Sequence, residues 1–591
     1  MKQKIYEKTK RLFRFIVYML LPLAGGGWVG VSCTDTWDDH FETTSDHVIN
    51  STLWQAIESN PDLSNFAKVV KECGYEQSLA SSQVFTVFAP TNAQFTAQEA
   101  DALISQFKTE RASVSDDDNT VIKEFLQNHI ALYNHSVSAQ RSDSIVMMNG
   151  KYQTLDGSEF GGSKLLTANG HYLNGVLYSI DHKVDYFPNI FEYMRKDADL
   201  DSLRSFFYNP KFYYKEFQPD ESVKGDVVDG RTIYQDSVFT QRNELFNEIE
   251  ARINSEDSTY WMVAPTNEVW KNLIEKYETY FNYHDSIAED RDSMIYTNSR
   301  LAIVNGTVFS RTLNTDKMLQ DSAMSTNAVL YYTSRKYYWG ADSLHYYQYN
   351  EPARVFSGTQ RVVCSNGSML KAPTWNIYPT ETFMQTRIIE AEGQGSVLAI
   401  GQSVNTAGEV EDATSVVTLS TSNDNPYYDQ VSNHSVVRVE PINDTQQAKV
   451  TFNIPNVLSN VGYDIYLITA PVAAIDTAAT DEMRVPTIID CFLFYKDQLG
   501  KDNFVIKPTD KPTDYREHLL GTFTTTPDAM DCFLVASNIK FDVCSYGLKK
   551  ESEEAQVRLR LETNVSPPQI RRGTHIRTMY IDAIILKPHE E

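Results

Sequence analysis

The residue types that most often carry chemistry are scattered through this sequence and form no recognisable catalytic motif. The chain contains no Gly-x-Ser-x-Gly elbow, no glycine-rich phosphate loop and no His-Glu-x-x-His pair. Carboxylates are abundant, but a glycosidase pair is defined by a separation in space that the sequence does not give. We therefore expect a protein that is not an enzyme and has no organic cofactor. An unrecognised hydrolase is the alternative.

Cysteine is the next reactive residue type, and Cys33 stands apart from the others. The remaining five are Cys73, Cys364, Cys491, Cys532 and Cys544. Their number is odd, their spacing is wide and no Cys-x-x-Cys occurs, so neither a disulfide framework nor a zinc site is encoded. We expect most of these five to be small buried core residues.

Cys33 follows a segment with the composition of an export signal. Residues 1–32 begin with a basic stretch, continue with an apolar run too short to span a bilayer, and end in small residues before Cys33. A small residue directly before the first Cys suits lipoprotein signal peptidase, so we expect cleavage there and acylation of Cys33. Gly30 stands where Leu is usual, and an ordinary cleaved signal is the alternative.

The charge balance restricts the partners of the chain. It has 78 acidic and 53 basic residues, and its formal net charge is -25. Such a surface repels nucleic acid and anionic headgroups, so we expect no nucleic-acid partner. Membrane attachment is then expected through the acyl chains of Cys33.

The tether behind that cysteine, residues 33–44, carries the acidic cluster Asp35, Asp38 and Asp39. It resembles the export signal that sends Bacteroidetes lipoproteins to the outer face of the outer membrane. The resemblance implies a lipid-anchored outer-membrane protein that faces the cell exterior. A merely solvated tether is the alternative.

Tripeptides of Asp, then Ser or Thr, then an aliphatic residue, Met or Thr are frequent in the chain. They resemble the O-glycosylation sequon of Bacteroidetes envelope proteins, whereas average composition gives roughly two or three copies. The acceptors that the resemblance implies are Ser144, Ser202, Ser237, Ser258, Ser286, Ser293, Ser322, Ser343 and Thr477. Chance in an Asp- and Ser-rich chain is the alternative.

The first part of the mature chain mixes helical and strand patterns. Apolar side chains recur at three- and four-residue spacing over residues 45–80, which predicts helices, with Ser51 as the cap of the first. A strand from Val84 ends at Pro90. Asn149-Gly150 is a hairpin signal in the short strands that follow.

Three stretches of this region resemble a known family. Thr86–Asn92, Asn128–Ile130 and Asn174–Asp181 resemble, in order and spacing, the signature stretches of a fasciclin domain. The resemblance covers residues 45–183 and implies a β-sandwich wrapped by helices.

The pattern recurs further along the chain. Tyr260–Asn267, Leu301–Phe309 and Val363–Leu370 are similar to the same three stretches in the same order. A second, diverged fasciclin-like module is therefore expected over residues 184–382, with a polar insertion around residues 209–240.

The second motif carries a residue of special interest, His129. In animal fasciclin proteins a Tyr-His pair in this motif is linked to adhesion. Here Asn128 replaces the Tyr, and Ser299 occupies the corresponding position of the second module. We expect His129 to pack and hydrogen-bond between helix and sheet, and we do not infer integrin-type binding.

From residue 383 onward, short β-runs separated by turn residues replace the helical periodicity, which predicts a β-sandwich over residues 383–591. Ile388–Glu392 and Tyr580–Leu586 resemble the first and last strands of a galactose-binding-like jelly roll, as in many carbohydrate-binding modules. The predicted fold class is thus multidomain α+β and β: two fasciclin-like modules of β-sandwich and helices, then a jelly-roll-like β-sandwich.

Two sets of side chains in this last region are candidate ligands. The resemblance implies a structural calcium held by Glu390, Glu392 and Asp582, since hard oxygen ligands suit that ion. Exposed strand-end carboxylates are the alternative. Tyr427 and Tyr428 end a turn-rich loop and are a candidate sugar-stacking platform, with ordinary packing as the alternative.

The function expected from these features is binding without chemistry. The chain resembles an accessory surface lipoprotein of a SusC/SusD-type outer-membrane uptake system that captures glycans or peptides. The alternative is a fasciclin-type adhesin that binds host matrix or another cell.

Overall fold

The computed structural model describes residues 50–114, 119–137, 142–228, 231–236, 238–285, 291–311, 322–332, 343–496, 502–504, 519–548 and 557–589. The predicted leader, the tether and Cys33 lie outside these residues. The chain divides into two compact units, one ending at Asp185 and the other beginning at Tyr186. None of the described helices is long and apolar enough to cross a membrane.

Helices form the start of the first unit. They are α1 (Leu53–Ser59), α2 (Ser64–Glu72), α3 (Glu76–Ala80), α4 (Ala97–Glu110) and α5 (Gln127–His129), with a 3-10 turn at Pro61–Leu63 and a π-helical turn at Ile122–Leu126. Thr52 caps α1, because its hydroxyl accepts from the Gln55 N–H while the Gln55 carboxamide accepts from the Thr52 N–H. The prediction of Ser51 as this cap is wrong by one residue.

The first unit contains a seven-stranded sheet in the order β2-β1-β7-β6-β5-β4-β3. Its strands are β1 (Phe85–Pro90), β2 (Ile130–Leu132), β3 (Asp143–Val146), β4 (Tyr152–Leu155), β5 (Glu159–Phe160), β6 (Ser163–Tyr172) and β7 (Gly175–Ile180). Alternate β1 side chains enter two different cores: Phe85 and Val87 pack with the helices, and Phe88 packs with Phe160 and Tyr178. The strand is therefore buried on both faces, which explains why Thr86 is its only polar residue.

The centre of this sheet is a parallel pair, β1 and β7, in register from Phe85 opposite Gly175 to Pro90 opposite Ile180. Gly175 has φ +146, and a Cβ atom there would lie 1.8 Å from the Phe85 carbonyl oxygen. The preceding Asn174 is buried; its carboxamide accepts from the Leu53 N–H and donates to the carbonyls of Leu79 and Ser81. The Asn-Gly pair thus ties α1 and the end of α3 to the start of β7.

The second unit begins with a region of mixed helices and strands. Its helices are α6 (Ile190–Tyr193), α7 (Asp201–Phe207), α8 (Leu245–Glu248), α9 (Asn267–Tyr277), α10 (Arg291–Val304) and α11 (Pro352–Val355), with 3-10 turns at Ala198–Leu200, Glu278–Phe281 and Pro379–Glu381. Its strands are β8 (Tyr213–Phe217), β9 (Val223–Val228), β10 (Arg231–Asp236), β11 (Phe239–Asn243), β12 (Tyr260–Pro265), β13 (Val308–Ser310), β14 (Ala323–Tyr332), β15 (Ser343–Tyr349), β16 (Gln360–Cys364) and β17 (Gly367–Ala372). The predicted polar insertion consists of the antiparallel pairs β8–β11 and β9–β10.

The central sheet of this region repeats the geometry of the first unit. Strand β12 pairs antiparallel with β13 and parallel with β17, in register from Tyr260 opposite Gly367. Gly367 has φ +136, and a Cβ atom there would lie 1.8 Å from the Tyr260 carbonyl oxygen. Asn366 accepts from the Ile190 N–H and donates to the carbonyls of Ile253 and Ser255. The second module therefore contains the same Asn-Gly device as the first.

The remainder of the second unit is a β-sandwich. One sheet has the order β22-β23-β31-β25-β29, with β18 also paired to β31; the other has the order β19-β24-β30-β26-β27, with β28 paired to β26. The strands are β18 (Arg387–Glu390), β19 (Val397–Ile400), β20 (Gln402–Val404), β21 (Val410–Asp412), β22 (Thr414–Ser420), β23 (Ser435–Pro441), β24 (Lys449–Ile454), β25 (Gly462–Thr469), β26 (Ile488–Lys496), β27 (Asp502–Phe504), β28 (Leu519–Thr524), β29 (Asp531–Lys540), β30 (Val557–Thr563) and β31 (Met579–Pro588), and one short helix, α12, spans Pro567–Arg571. The 3-10 turns are Ser432–His434 and Val472–Ala474. The first and last strands of the region pair antiparallel, with Ile389 opposite Ile584.

The second module and the sandwich share one apolar core. It runs without a break from residues such as Trp270 and Phe281 to Leu467 and Leu561. Backbone hydrogen bonds reinforce the junction, since the Ser459 N–H donates to the Tyr280 carbonyl at 3.0 Å. A boundary at residues 382–383 is thus a change of secondary structure inside one unit.

The Asn-Gly geometry leads to a first prediction. Gly175→Ala should destabilise the first unit by more than about 4 kcal/mol, because the new methyl group would overlap the Phe85 carbonyl and force the strands apart. Gly150→Ala is the matched control, because it has φ +80 with open space around it, and should cost about 1–2 kcal/mol. Urea unfolding followed by hydrogen exchange of first-unit peptides measures both. Equal free energies of unfolding for the two variants would contradict the close approach of Gly175 to the Phe85 carbonyl.

Candidate functional site

His129 is fully buried between helix and sheet in the first unit. Its Nδ1 lies 2.7 Å from the Phe125 carbonyl, and its Nε2 lies 2.9 Å from the Val184 N–H that donates to it. The neutral tautomer with hydrogen on Nδ1 satisfies both contacts. Burial lowers the pKa of His129 to about 4. The prediction that His129 packs and hydrogen-bonds is confirmed.

The neighbouring Asn128 takes part in the same arrangement. Its carboxamide donates to the Val184 carbonyl at 3.2 Å and accepts from the Asn149 side chain at 3.1 Å. Asn128 and His129 together hold the backbone of Val184. In the second module Ser299 is also buried, and its hydroxyl donates to the Ile295 carbonyl at 2.7 Å. These residues are structural in both modules.

The candidate calcium ligands meet at one loop of the sandwich. Glu390 Oε1 accepts from the Ser432 hydroxyl at 2.5 Å, and Asp582 Oδ1 accepts from the Ser432 N–H at 2.7 Å. Glu392 Oε1 accepts from the Asn433 carboxamide at 3.0 Å. In the structure all three carboxylates therefore accept hydrogen bonds from the same 3-10 turn, Ser432–His434, and connect the first and last strands to it.

This arrangement differs from a ready ligand set. Within the described ranges, no three His, Cys, Asp or Glu side chains are grouped so that they could hold a metal ion. One observation nevertheless fits a cation, because the buried Glu392 Oε2 has no hydrogen-bond partner among the described residues. Any calcium here would need carbonyl or hydroxyl oxygens beside the carboxylates. The calcium site stays a prediction.

Tyr427 and Tyr428 have different surroundings. The Tyr427 ring is half-buried, its hydroxyl donates to the Asp528 carbonyl at 2.6 Å, and it lines a surface cavity of about 670 Å³ that Arg484 also lines. The Tyr428 ring stacks on His434, with ring centroids 3.8 Å apart, and is not among the residues that line this cavity. The two rings therefore contact different neighbours, and of the two only Tyr427 lines the cavity.

The candidate glycosylation residues lie at accessible positions where the structure describes them. Ser144 and Thr477 are exposed, and Ser202, Ser258, Ser293 and Ser322 are half-buried. Ser237, Ser286 and the side chain of Ser343 lie outside the described residues. Accessibility permits modification of the described six, and their glycosylation stays a prediction.

Most of the cysteines beyond the leader are core residues, as predicted. Cys73, Cys364, Cys491 and Cys544 are buried, and Cys532 is half-buried. Burial raises the pKa of the Cys544 and Cys532 thiols to about 12. A thiol with so high a pKa is a poor nucleophile, because the thiolate is the reactive form.

A group of cavities lies at the junction of the second module and the sandwich, and no pattern in the sequence predicts it. Their volumes are about 350, 750 and 520 Å³. The first is lined by Lys276, Tyr280, Tyr378, Met384, Asn460 and His589, among others. These residues are far apart in the chain, so no motif of fixed spacing brings them to notice.

Comparison with known families identifies a domain within the first unit. Residues 61–183 match the family model of the fasciclin domain. This part of the chain is a fasciclin domain. No curated protein matches the chain.

Several solved structures resemble parts of the chain. One is the FAS1 domain pair of the insect cell adhesion molecule fasciclin I, at 12% identity over 54% of this chain and 98% of that one, with a TM-score of 0.18. Another is the CBM36-1 domain of a multidomain xylanase from the hindgut metagenome of Trinervitermes trinervoides, at 10% identity over 35% and 100%, with a TM-score of 0.16. A third is the C-terminal family 22 carbohydrate binding module of Clostridium thermocellum Xyn10B, at 14% identity over 34% and 91%, with a TM-score of 0.18. TM-scores this low assign no fold.

The buried histidine of the fasciclin domain leads to a pH prediction. The pKa of His129 is about 4 when folded, against 6.5 ordinarily, so the unfolded chain binds more protons between these values. The contribution of His129 to the free energy of unfolding is therefore fully present above pH 6.5. It is lost as the pH falls towards 4, by roughly 3 kcal/mol in total.

Urea unfolding of the fasciclin domain at stepped pH measures this slope. His129→Phe cannot be protonated and should lose that part of the slope, although it is less stable at every pH. His135→Gln, at a half-buried surface histidine, is the matched control and should keep it. Identical slopes in wild type and His129→Phe would show that another group is responsible.

The Ser432 turn leads to a calcium prediction. Millimolar Ca²⁺ should raise the unfolding temperature of the second unit by several degrees over the value in a chelator, because an ion that binds only the folded state stabilises it. Glu392→Gln should abolish this rise, and Glu409→Gln, at an exposed hairpin glutamate, should not. An unfolding temperature unchanged by Ca²⁺ would mean that the three carboxylates act only as hydrogen-bond acceptors.

Proposed function

We propose that this chain is a non-catalytic binding protein of the cell surface. The observation that carries the proposal is the fasciclin domain at residues 61–183, whose central strand pairing recurs in the second module. A fasciclin domain suits a surface or adhesion-type role. In this proposal the two modules are rigid supports, and the sandwich fused to the second of them meets the ligand.

The proposed cellular location is the outer membrane, with acyl chains on Cys33 as the anchor and the folded units facing the cell exterior. The small residue before Cys33, the acidic tether and the Asp-Ser/Thr tripeptides support it. Among the proposed O-glycosylation acceptors that the structure describes, Ser144 and Thr477 are exposed. The intact mass of protein isolated from its source would reveal the sugars, and an unmodified mass would remove this support.

The proposed partner is a SusC/SusD-type transporter pair, beside which the chain captures glycan or peptide ligands. The strong negative charge disfavours nucleic acid as a partner. Adhesion to host matrix or another cell is the second candidate, and the fasciclin domain itself favours it equally.

Affinity purification of the detergent-solubilised full chain separates the two candidates. For an accessory of uptake, the transporter pair should be recovered with the wild-type protein. The Cys33→Ala variant should no longer be found in the membrane fraction. Much less of the transporter pair should be purified with it, because the anchor holds the protein beside its partner. Cys532→Ala, in strand β29 of the sandwich, is the matched control and should behave as wild type. Recovery of the protein alone, together with binding to host cells, would overturn uptake in favour of adhesion.

A further inference from the structure

The cavity of about 350 Å³ at the junction of the second module and the sandwich has a size and a lining that suit a small-molecule binding site. Its volume lies at the small end of the roughly 300–1,000 Å³ typical of such sites. Aromatic and apolar side chains, among them Tyr280, Tyr378 and Met384, form much of its wall, and a few polar groups point to a specific ligand.

The wall is held in place from both sides. The Ser459 N–H donates to the Tyr280 carbonyl, and the Ser459 hydroxyl donates to the Thr279 carbonyl at 2.8 Å. On the sandwich side, the His589 N–H donates to the Gly462 carbonyl at 2.8 Å. The pocket is therefore formed before any ligand arrives, which reduces the entropy lost on binding.

Tyr378 gives the pocket an exposed but immobilised aromatic face. Tyr378 is 51% exposed as a residue, yet the Arg354 guanidinium lies over its ring, 4.1 Å from the ring centroid. Arg354 is in turn fixed by an ion pair with Glu381, and Glu381 accepts a hydrogen bond from the Tyr378 N–H at 3.1 Å. A sugar ring packs well on an aromatic face that is already ordered.

The charged side chains that line the pocket are basic, whereas the chain as a whole is acidic. No Asp or Glu is among the described residues that line it, whereas Lys276 and His589 are. His589 Nε2 lies 2.7 Å from Asp464 Oδ1, so His589 already has a carboxylate partner. Lys276 forms no ion pair within the part of the chain that the structure describes, unlike Lys271 on the same helix, which lies 3.9 Å from Glu275.

We propose that this pocket binds an acidic sugar, with the sugar ring against Tyr378 and its carboxylate at the Lys276 ammonium. A charge-assisted hydrogen bond to Lys276 would distinguish an acidic sugar from its neutral counterpart. Asn460 and Thr380, which also line the pocket, provide polar groups for the hydroxyls. The inference rests on the proposed binding function and names its site and ligand class.

Paired sugars test the ligand class on the full chain. Binding of D-galacturonate and D-galactose, which differ in the carboxylate, is compared by saturation-transfer NMR and by calorimetry. The acidic sugar should bind roughly tenfold more tightly, as expected for one charge-assisted hydrogen bond. Equal binding of the two, or binding of neither, would overturn the inference.

Paired variants test the site. Lys276→Met keeps most of the aliphatic stem and should remove the preference for the acidic sugar, while Lys271→Met should not. Tyr378→Leu should weaken both sugars, whereas Tyr152→Leu, at an exposed tyrosine of the first unit, should weaken neither. Both lysines and both tyrosines are at least partly exposed, so these variants should fold.

The outcomes separate this inference from the proposed function. If sugar binding is abolished by Tyr427→Ala and unaffected by Lys276→Met, the assignment of the sugar site to the junction pocket fails. The proposal of a sugar-binding protein is then still supported. If no sugar binds but a transporter pair is recovered, the acidic-sugar inference fails and the uptake function stands.

Discussion

Both modules depend on the close approach of two backbones at an Asn-Gly pair. At Gly175 and Gly367 the second parallel strand begins so near the first that no side chain fits between them. The asparagine before each glycine then satisfies three backbone groups of the surrounding segments. Buried amide and carbonyl groups are costly to leave unpaired, so one carboxamide fixes the entry of the strand and the segments around it.

This constraint explains which parts of the fold could be predicted from the sequence. The stretches that include Asn174-Gly175 and Asn366-Gly367 are short, local and chemically specific, so they identified the fasciclin domain at residues 61–183 and a similar second region. Local patterns are weaker at element boundaries, where neighbouring hydroxyl residues compete to cap. Thr52 rather than Ser51 caps α1, because the Thr52 hydroxyl and the Gln55 carboxamide form the reciprocal pair of hydrogen bonds.

The candidate sites likewise divide into those that local sequence patterns predict and those that depend on segments far apart in the chain. His129 could be interpreted from its motif, because its partners, Phe125 and the end of the module, follow from the local fold. The three carboxylates of the sandwich contact one turn, but the Ser432 turn that they contact could not be predicted from strands far apart in the chain. Tyr427 and Tyr428 are adjacent in sequence but engaged by different neighbours. The junction pocket was missed because it exists only where two regions share a core.

A preformed junction pocket requires the second module and the sandwich to behave as one body with a shared core. Native-state hydrogen exchange with increasing urea, read by mass spectrometry, tests it most directly. We predict that peptides of β12 and β17 lose protection in the same transition as peptides of β25 and β30, separately from β1 and β7. Opening of β12 and β17 at lower urea, while β25 and β30 stay protected, would contradict a shared core.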